Sequence, residues 1–255
     1  MIDFSVVIPT YKHPELARKA IASVLKQQGV TVQIIISDDS DNDEIASLCS
    51  SFSRTNLLYR HHEKRGNAVG NWNYGLGFAE GKYIILMHHD EYFESNNHLE
   101  RLKKEFDAGA DVVISNVKVK INGKEKRRFF PKIVKSFMLR CPSTLFAFNA
   151  IGPCACVAFA RGAVPRFNER LSWLVDVEWY FRCLSHQKPA YLNDLYIVSQ
   201  HGHQGQITQE INISQALKED RKTVCELSYC TAAIKAALFL NQTIQSLKCF
   251  RYENR

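Results

Sequence analysis

Three short runs decide how this chain folds: Phe4-Ser-Val-Val-Ile-Pro-Thr-Tyr11, Val32-Gln-Ile-Ile-Ile-Ser-Asp-Asp39 and Lys82-Tyr-Ile-Ile-Leu-Met-His-His-Asp90. Each is a stretch of mostly β-branched apolar residues that stops in a polar cluster, which is the pattern of a buried strand. Between them the period changes. Residues 14–28 place Leu16, Ala20, Val24 and Leu25 at helical spacing, with Pro14 suited to the first turn. A helix over about 43–52, a strand at Leu57-Leu-Tyr59 and a helix over 68–80 follow. Strands alternating with helices at this spacing predict βαβ units and a mainly parallel sheet. Ligands of such sheets bind at the carboxyl ends of strands. The clusters Asp38 to Asp43 and His88 to Glu91 both fall there, so spacing nominates them as walls of one cleft. Asp and Ser also favour turns and helix caps, and for Asp38-Asp39-Ser40-Asp41 taken alone the two readings are equal.

Further along, the pattern predicts a helix near 97–108, a strand at 111–115, and a basic hairpin turning at Asn122-Gly123. A strand at 154–161, a helix over 173–184 with Asp176 and Glu178, and a helical tail over about 213–247 complete it. The tail is expected to pack on its own domain, with a dimer helix or a membrane-surface contact as alternatives. No Gly-x-Gly-x-x-Gly follows the first strand, and neither a Walker A signature nor a Gly-x-Ser-x-Gly elbow occurs. Dinucleotide enzymes, P-loop NTPases and α/β-hydrolases are disfavoured accordingly.

Composition narrows the class. Among 255 residues, 45% are apolar and 23% charged, which is globular usage. The longest clean apolar stretch, Cys154 to Ala160, is far below the roughly 20 residues that span a bilayer. Asp3 and Pro9 spoil a signal peptide, so a soluble, cytoplasmic protein is expected. The eight cysteines lack paired C-x2-C spacing and read as reduced thiols rather than a zinc site. The net charge of +7 is uneven. Between residues 118 and 140, nine lysines and arginines face the single acid Glu125, with Phe129-Phe130 among them. That stretch reads either as a solvated hairpin or as a face for phosphates or an anionic membrane, and no nucleic-acid partner is expected from it.

The ordered motifs resemble glycosyltransferase family 2, the inverting nucleotide-sugar transferases of GT-A fold. They are Ser5-Val-Val-Ile-Pro-Thr-Tyr11, Ile34-Ile-Ile-Ser-Asp38-Asp39-Ser40-x-x-Asp43, Asn71-x-Asn73-x-Gly75-Leu with Ala79-x-Gly81-Lys-Tyr-Ile84, and the acidic turn at 88–91. The resemblance covers about residues 4–205. It implies an α/β, Rossmann-like sheet flanked by helices, with a donor-binding half at 1–95, an acceptor-binding half at 96–208 and a C-terminal helical tail at 209–255. Pro9, Thr10, Tyr11, Asp39 (or Asp38 in its place), Asn73 and His89 would hold the donor nucleotide. Asp90 aligns with the last aspartate of the family's DXD, and His203 with a late histidine near the metal or diphosphate. Asp176 aligns with the general base, with Glu178 as the alternative if the helix is rotated.

Two positions depart from that pattern. His88 replaces the first DXD aspartate, which favours Mn²⁺ over Mg²⁺ as the divalent cofactor because hard cations prefer oxygen. Trp72 stands where many members place an arginine facing the diphosphate, a role that Arg65 or Lys64 would take. Transfer with inversion needs a base for the acceptor hydroxyl, neutralisation of the leaving diphosphate and a donor held in line. The resemblance implies transfer of a sugar from a nucleotide-diphosphate donor, UDP by default, to a glycan or lipid-linked oligosaccharide. Bacterial surface polysaccharide is the implied product, made at the inner face of the cell membrane. A catalytically weakened nucleotide-sugar binding module and a nucleotidyltransferase are the competing readings.

Overall fold

The computed structural model describes residues 1–52, 55–63, 67–121, 123–127, 130–163, 165–203 and 211–253. The chain clusters into two compact units that interleave in sequence, whereas the expected halves were consecutive. The first comprises Met1–Phe129, Ile151–Arg166 and Gln187–Gly202; the second comprises Phe130–Ala150, Phe167–His186 and His203–Arg255.

The first unit is built on a mixed sheet of nine described strands, β1 (Phe4–Thr10), β2 (Val32–Asp38), β3 (Leu57–His61), β4 (Tyr83–Leu86), β5 (Glu91–Phe93), β6 (Val112–Ile121), β7 (Lys124–Arg127), β8 (Val157–Ala160) and β9 (Pro189–His201). Their order is β3-β2-β1-β4-β8-β6-β9-β5, with β7 paired to β6. Strands β3, β2, β1 and β4 run parallel, as the alternation predicts, and their inner residues Val6, Val7, Ile8, Ile34, Ile35, Ile36 and Ile85 are fully buried. β8 runs against both of its neighbours, β4 and β6, which makes the sheet mixed. Four helices accompany it: α1 (Pro14–Leu25), α2 (Glu44–Ser51), α3 (Ala68–Leu76) and α4 (His98–Asp107). α1 buries Ala17, Ala20, Ile21 and Val24, so the apolar periodicity of its sequence lies on its inner face. At Gly81 an added Cβ would lie 2.5 Å from the Ser5 nitrogen, so the approach to β1 requires glycine.

Three local expectations change. The basic stretch is not one hairpin: β6 and β7 end it at Arg127, and residues 132–140 form helix α5 (Lys132–Arg140) of the second unit, because Pro131 supplies a helix start and Ile133, Phe137 and Met138 recur at helical spacing. The strand expected at 154–161 starts with a 3-10 turn, Cys154–Cys156. The tail divides into α7 (Ile213–Cys225) and α8 (Ala232–Glu253). With α6 (Val175–Leu184) and the 3-10 helix Pro142–Phe146, these helices make up the second unit, where α5, α6 and α8 all pack on that 3-10 helix.

His98, the first residue of α4, is fully buried against Phe93, with ring centroids 4.7 Å apart. Burial, aided by the Arg101 charge, holds its pKa down to about 3. A histidine depressed in the folded state contributes nothing above its unfolded value, and stability then falls as acid protonates the unfolded chain. Urea unfolding should therefore show a loss from this residue of about 2 kcal/mol between pH 7 and pH 5. In His98→Leu that part of the slope should vanish.

Candidate active site

The carboxyl ends of β1, β2 and β4 meet at one edge of the sheet. Thr10 and Asp38 are register partners there. The Thr10 hydroxyl donates to Asp38 Oδ1 at 3.0 Å, and the Ser40 hydroxyl and backbone N–H donate to the same oxygen at 2.6 and 3.2 Å. Asp38 Oδ2 accepts from the Tyr59 hydroxyl of β3 at 3.0 Å. A fully buried carboxylate thus takes four donors, from the end of β1, the turn after β2 and the middle of β3. Burial and the Asp38 charge push the Tyr59 phenol well above its usual pKa, which keeps it a donor. Asp38 is consumed internally; its neighbour Asp39 is buried and donates its backbone N–H to the Thr10 carbonyl at 3.0 Å.

Helix α3 is fixed to the same edge. Asn71 Nδ2 donates to the Ser37 carbonyl at 2.9 Å, while the Ser37 hydroxyl donates to Asn71 Oδ1 at 2.5 Å. Gly75 lets the helix approach, since a Cβ there would lie 2.7 Å from Val7 Cγ1. Asn73 is buried on the same helix. Beyond β1 the chain turns through Lys12 and His13, both in the left-handed region at φ 58° and 54°. The turn is held by Lys12 N–H donating to the Ser40 hydroxyl at 2.7 Å and by the Lys12–Asp41 ion pair at 3.3 Å. It presents the Tyr11 ring, 44% exposed, with the Lys12 ammonium 5.0 Å from its centroid.

The turn after β4 supplies the histidines. His88 donates its backbone N–H to Glu91 Oε2 at 2.9 Å, and its ring Nδ1 lies 3.4 Å from Glu91 Oε1. Glu91 is buried, and burial pushes its carboxyl above the usual range against the opposing pull of His88. Trp72 meets His88 edge-on at 4.8 Å, so the two positions that depart from the family pattern are ring neighbours. His89 stacks on His13 at 5.9 Å, with Nδ1 3.4 Å from the Pro9 carbonyl. Burial holds its pKa down to about 4, so the ring is neutral near pH 7. Asp90 is part-buried, and its carbonyl accepts the Gln200 N–H at 2.8 Å.

The structure therefore brings Pro9, Thr10, Asp38, Asp39, His88, His89 and Asp90 to one strand-end cluster, flanked by Tyr11 and Asn73. Arg65 and Lys64 lie outside the described residues. Asp176 and His203 belong to the second unit. There, Glu178 is buried and accepts from Arg182 Nε and Nη2 at 2.6 and 2.7 Å and from the Tyr229 hydroxyl, so it serves as an internal anchor. Asp176, in the first turn of α6, is part-buried. The run into α6 is fixed by Asp220 of α7, a buried carboxylate that accepts the backbone N–H groups of Ser172, Trp173 and Leu174 at 2.7–3.1 Å. Tyr59 and Asp220 escaped the sequence reading because their partners lie 21 and about 47 residues away, with no local motif to announce them.

Among known families, the profile described as Glycosyl transferase family 2 matches residues 5–164. The chain belongs to that family. Its relatives include the glycosyltransferase GlyG of Streptococcus pneumoniae serotype 4, 31% identical over 44% of this chain and 38% of GlyG. Another is the GalNAc(5)-diNAcBac-PP-undecaprenol beta-1,3-glucosyltransferase of Campylobacter jejuni, 27% identical over 52% of this chain and 43% of the relative. The chain thus spans well under half the length of these relatives. The fold is GT-A: S. aureus TarS in complex with UDP-GlcNAc superposes with a TM-score of 0.71 at 16% identity, over 96% of this chain and 73% of that one. A mannosyltransferase from Pyrobaculum calidifontis, in complex with GDP-Man and Mn²⁺, gives 0.68 at 14% identity over 96% and 72%.

The family match includes the whole strand-end cluster but stops before Asp176 and His203. Among the described residues no group of three or more His, Cys, Asp or Glu side chains is assembled to hold a metal. The Asp90 carboxylate and the His88 imidazole at the turn are the side chains that would hold a divalent ion, whose charge would oppose that of a bound phosphate. The Glu91 contact at His88 Nδ1 suits that role, because ligating histidines are commonly oriented by a carboxylate on their other nitrogen.

The two buried clamps differ from the part-buried Asp176 in the number of backbone and side-chain donors they are shown to hold. Asp38→Ala and Asp220→Ala should each lower the unfolding free energy in urea titrations by about 3 kcal/mol, since several charge-assisted bonds are lost and their donors stranded. Asp176→Asn should change it by less than about 1 kcal/mol, the scale of a first-turn helix charge.

Proposed function

We propose that the protein transfers a sugar, hexosyl or N-acetylhexosaminyl, from a nucleotide-diphosphate donor to a hydroxyl of a glycan or lipid-linked oligosaccharide, with inversion. The observation that carries this reading is the convergence of Thr10, Asp39, His89 and Asp90 on one strand-end cluster within the family match. Tyr11 packs on the base and Asp39 accepts its imide N–H, with Asn73 and the Pro9–Thr10 backbone shaping the pocket. Uridine is the default base, supported by the UDP-GlcNAc complex of TarS, although the P. calidifontis enzyme binds GDP-Man.

Asp90, with His88, would hold a divalent ion, Mn²⁺ before Mg²⁺, which when bound neutralises charge on the leaving diphosphate as a Lewis acid. Asp176 takes the proton of the acceptor hydroxyl as the new bond forms, a role suited to a part-exposed carboxylate at a helix start. Glu178 is unsuited to that role, because Arg182 and Tyr229 occupy its oxygens. The undecaprenol-linked substrate in the name of the C. jejuni relative supports a lipid-linked acceptor, and the teichoic acid protein GgaB of Bacillus subtilis is a further relative, 30% identical over 94 residues. Work on such acceptors would bring the enzyme to the cytoplasmic face of the membrane.

The Trp72–His88 contact supports a second reading, a nucleotide-sugar binding module weakened in catalysis. Thermal shift against a nucleotide-sugar panel, with and without Mn²⁺, separates the two when followed by turnover. Under transfer, one nucleoside diphosphate stabilises the protein by a few kcal/mol at saturation. Asp90→Ala loses the metal-dependent part of that stabilisation. Asp176→Asn keeps donor binding while release of nucleoside diphosphate falls about 10²- to 10⁴-fold. Binding without any turnover in the wild type would leave the module reading standing.

A further inference from the structure

Helix α5 is built inside out. Its residues Ile133, Phe137 and Val134 are 85%, 59% and 43% exposed, while Lys135 on the packed side is 1% exposed beside Met138 and Leu139. A helix folded only for its own core would reverse that order, because burying a lysine is costly and exposing three large apolar side chains gains nothing. Ile133 and Phe137 are one turn apart, and Val134 lies three residues before Phe137, so the three share a face. The exposed Arg140 lies three residues after Phe137 on that face, and the exposed Lys132 stands at the helix start. No acidic residue occurs between Glu125 and Glu169, so nothing nearby in sequence offsets the basic charge. In the same unit, α8 packs on the 3-10 helix that also supports α5, and exposes Phe239 and Leu240.

An apolar ridge bordered by cations and free of sequence-local acids matches a surface that is apolar beneath and anionic above. We infer that α5 is a membrane-docking helix, which inserts Ile133, Val134 and Phe137 below the headgroups of an anionic bilayer while Lys132 and Arg140 meet its phosphates. This moves the contact away from the β6–β7 hairpin, where Lys118 is buried and paired with Glu94 and Glu125. The inference shares with the proposed function only the location of the acceptor. Vesicle binding needs neither donor nor acceptor, so it can fail while glycosyl transfer stands, and the reverse.

The full chain should float with phosphatidylglycerol–phosphatidylcholine vesicles and much less with phosphatidylcholine alone. Ile133→Ser/Phe137→Ser should weaken binding to anionic vesicles about tenfold or more, as expected when two buried apolar side chains are lost. Lys132→Gln/Arg140→Gln should weaken it about tenfold at low salt and less at high salt. Phe137→Trp keeps the helix apolar and should shift the indole emission to the blue on anionic vesicles relative to the wild type, a check that does not depend on a loss of binding. The inference is overturned if the serine pair binds as the wild type does, if no vesicle binds at low salt, or if the emission of the Phe137→Trp variant gains no such shift. It is also overturned if sedimentation shows a dimer that the serine pair dissociates while vesicle binding is nil, since the ridge would then meet a second copy of the chain.

Discussion

The Asp38 carboxylate is the interaction on which the strand-end cluster depends. It sits at the last residue of β2 and draws donors from the end of β1, from the turn that follows it and from β3. Parallel strands normally end in frayed backbone, where carbonyl and amide groups turn to water. Here the ends are tied by side chains, and the ladder continues past the strands, with the Asp39 N–H on the Thr10 carbonyl and the His62 N–H on the Asp38 carbonyl. A charge buried this deeply is tolerable only because each oxygen is satisfied. The reward is positional. Tyr11 and Asp39 hang from strands whose ends cannot shift independently, and His89 after β4 joins them at the Pro9 carbonyl.

The sheet was legible because its strands are short, apolar and separated by helical spacing, and the first four elements follow that alternation closely. Legibility fell where pairing is set by distant sequence. β5 hides in the acidic turn as Glu91-Tyr92-Phe93 and becomes a strand only because Ile197 to Ser199 lie beside it. The basic stretch read as a single hairpin because charge masks periodicity: residues 132–140 are helical, yet their lysines and arginines resemble those of the strands before them. Asp38 and Asp39 look interchangeable, but the Asp38 carboxylate is taken up by the Thr10 and Tyr59 hydroxyls, while Asp39 follows the end of β2 and meets Thr10 through its backbone N–H.

The second unit repeats that lesson with carboxylates on helices. Asp176 and Glu178 are two residues apart on α6 and so point in different directions. Glu178 turns inward to a bidentate grip by Arg182, one turn away, and to Tyr229. Asp220 holds the three amides that precede α6, a task usually given to a capping side chain within the helix's own sequence, here supplied from α7. What resembles a choice between two candidate bases is a division of labour between one acid that anchors and one at the part-exposed start of the helix.

The reversed strand β8 also bears on the order in which the chain can fold. β1 finds β2 and β4 within the first third of the sequence, so a parallel core of β3-β2-β1-β4 forms from contacts made early. The outer edge of β4 then waits for residues 157–160, and β6 waits for both β8 and β9, separations of about 45 to 80 residues. Pairings that distant are slow to close. During synthesis the unpartnered edge of β4, Tyr83-Ile-Ile-Leu86, is bare and strongly apolar, the kind of segment that joins a neighbouring chain when concentration is high. Strand β8 is thus the piece whose arrival covers that edge, and truncation before residue 157 would leave it permanently open.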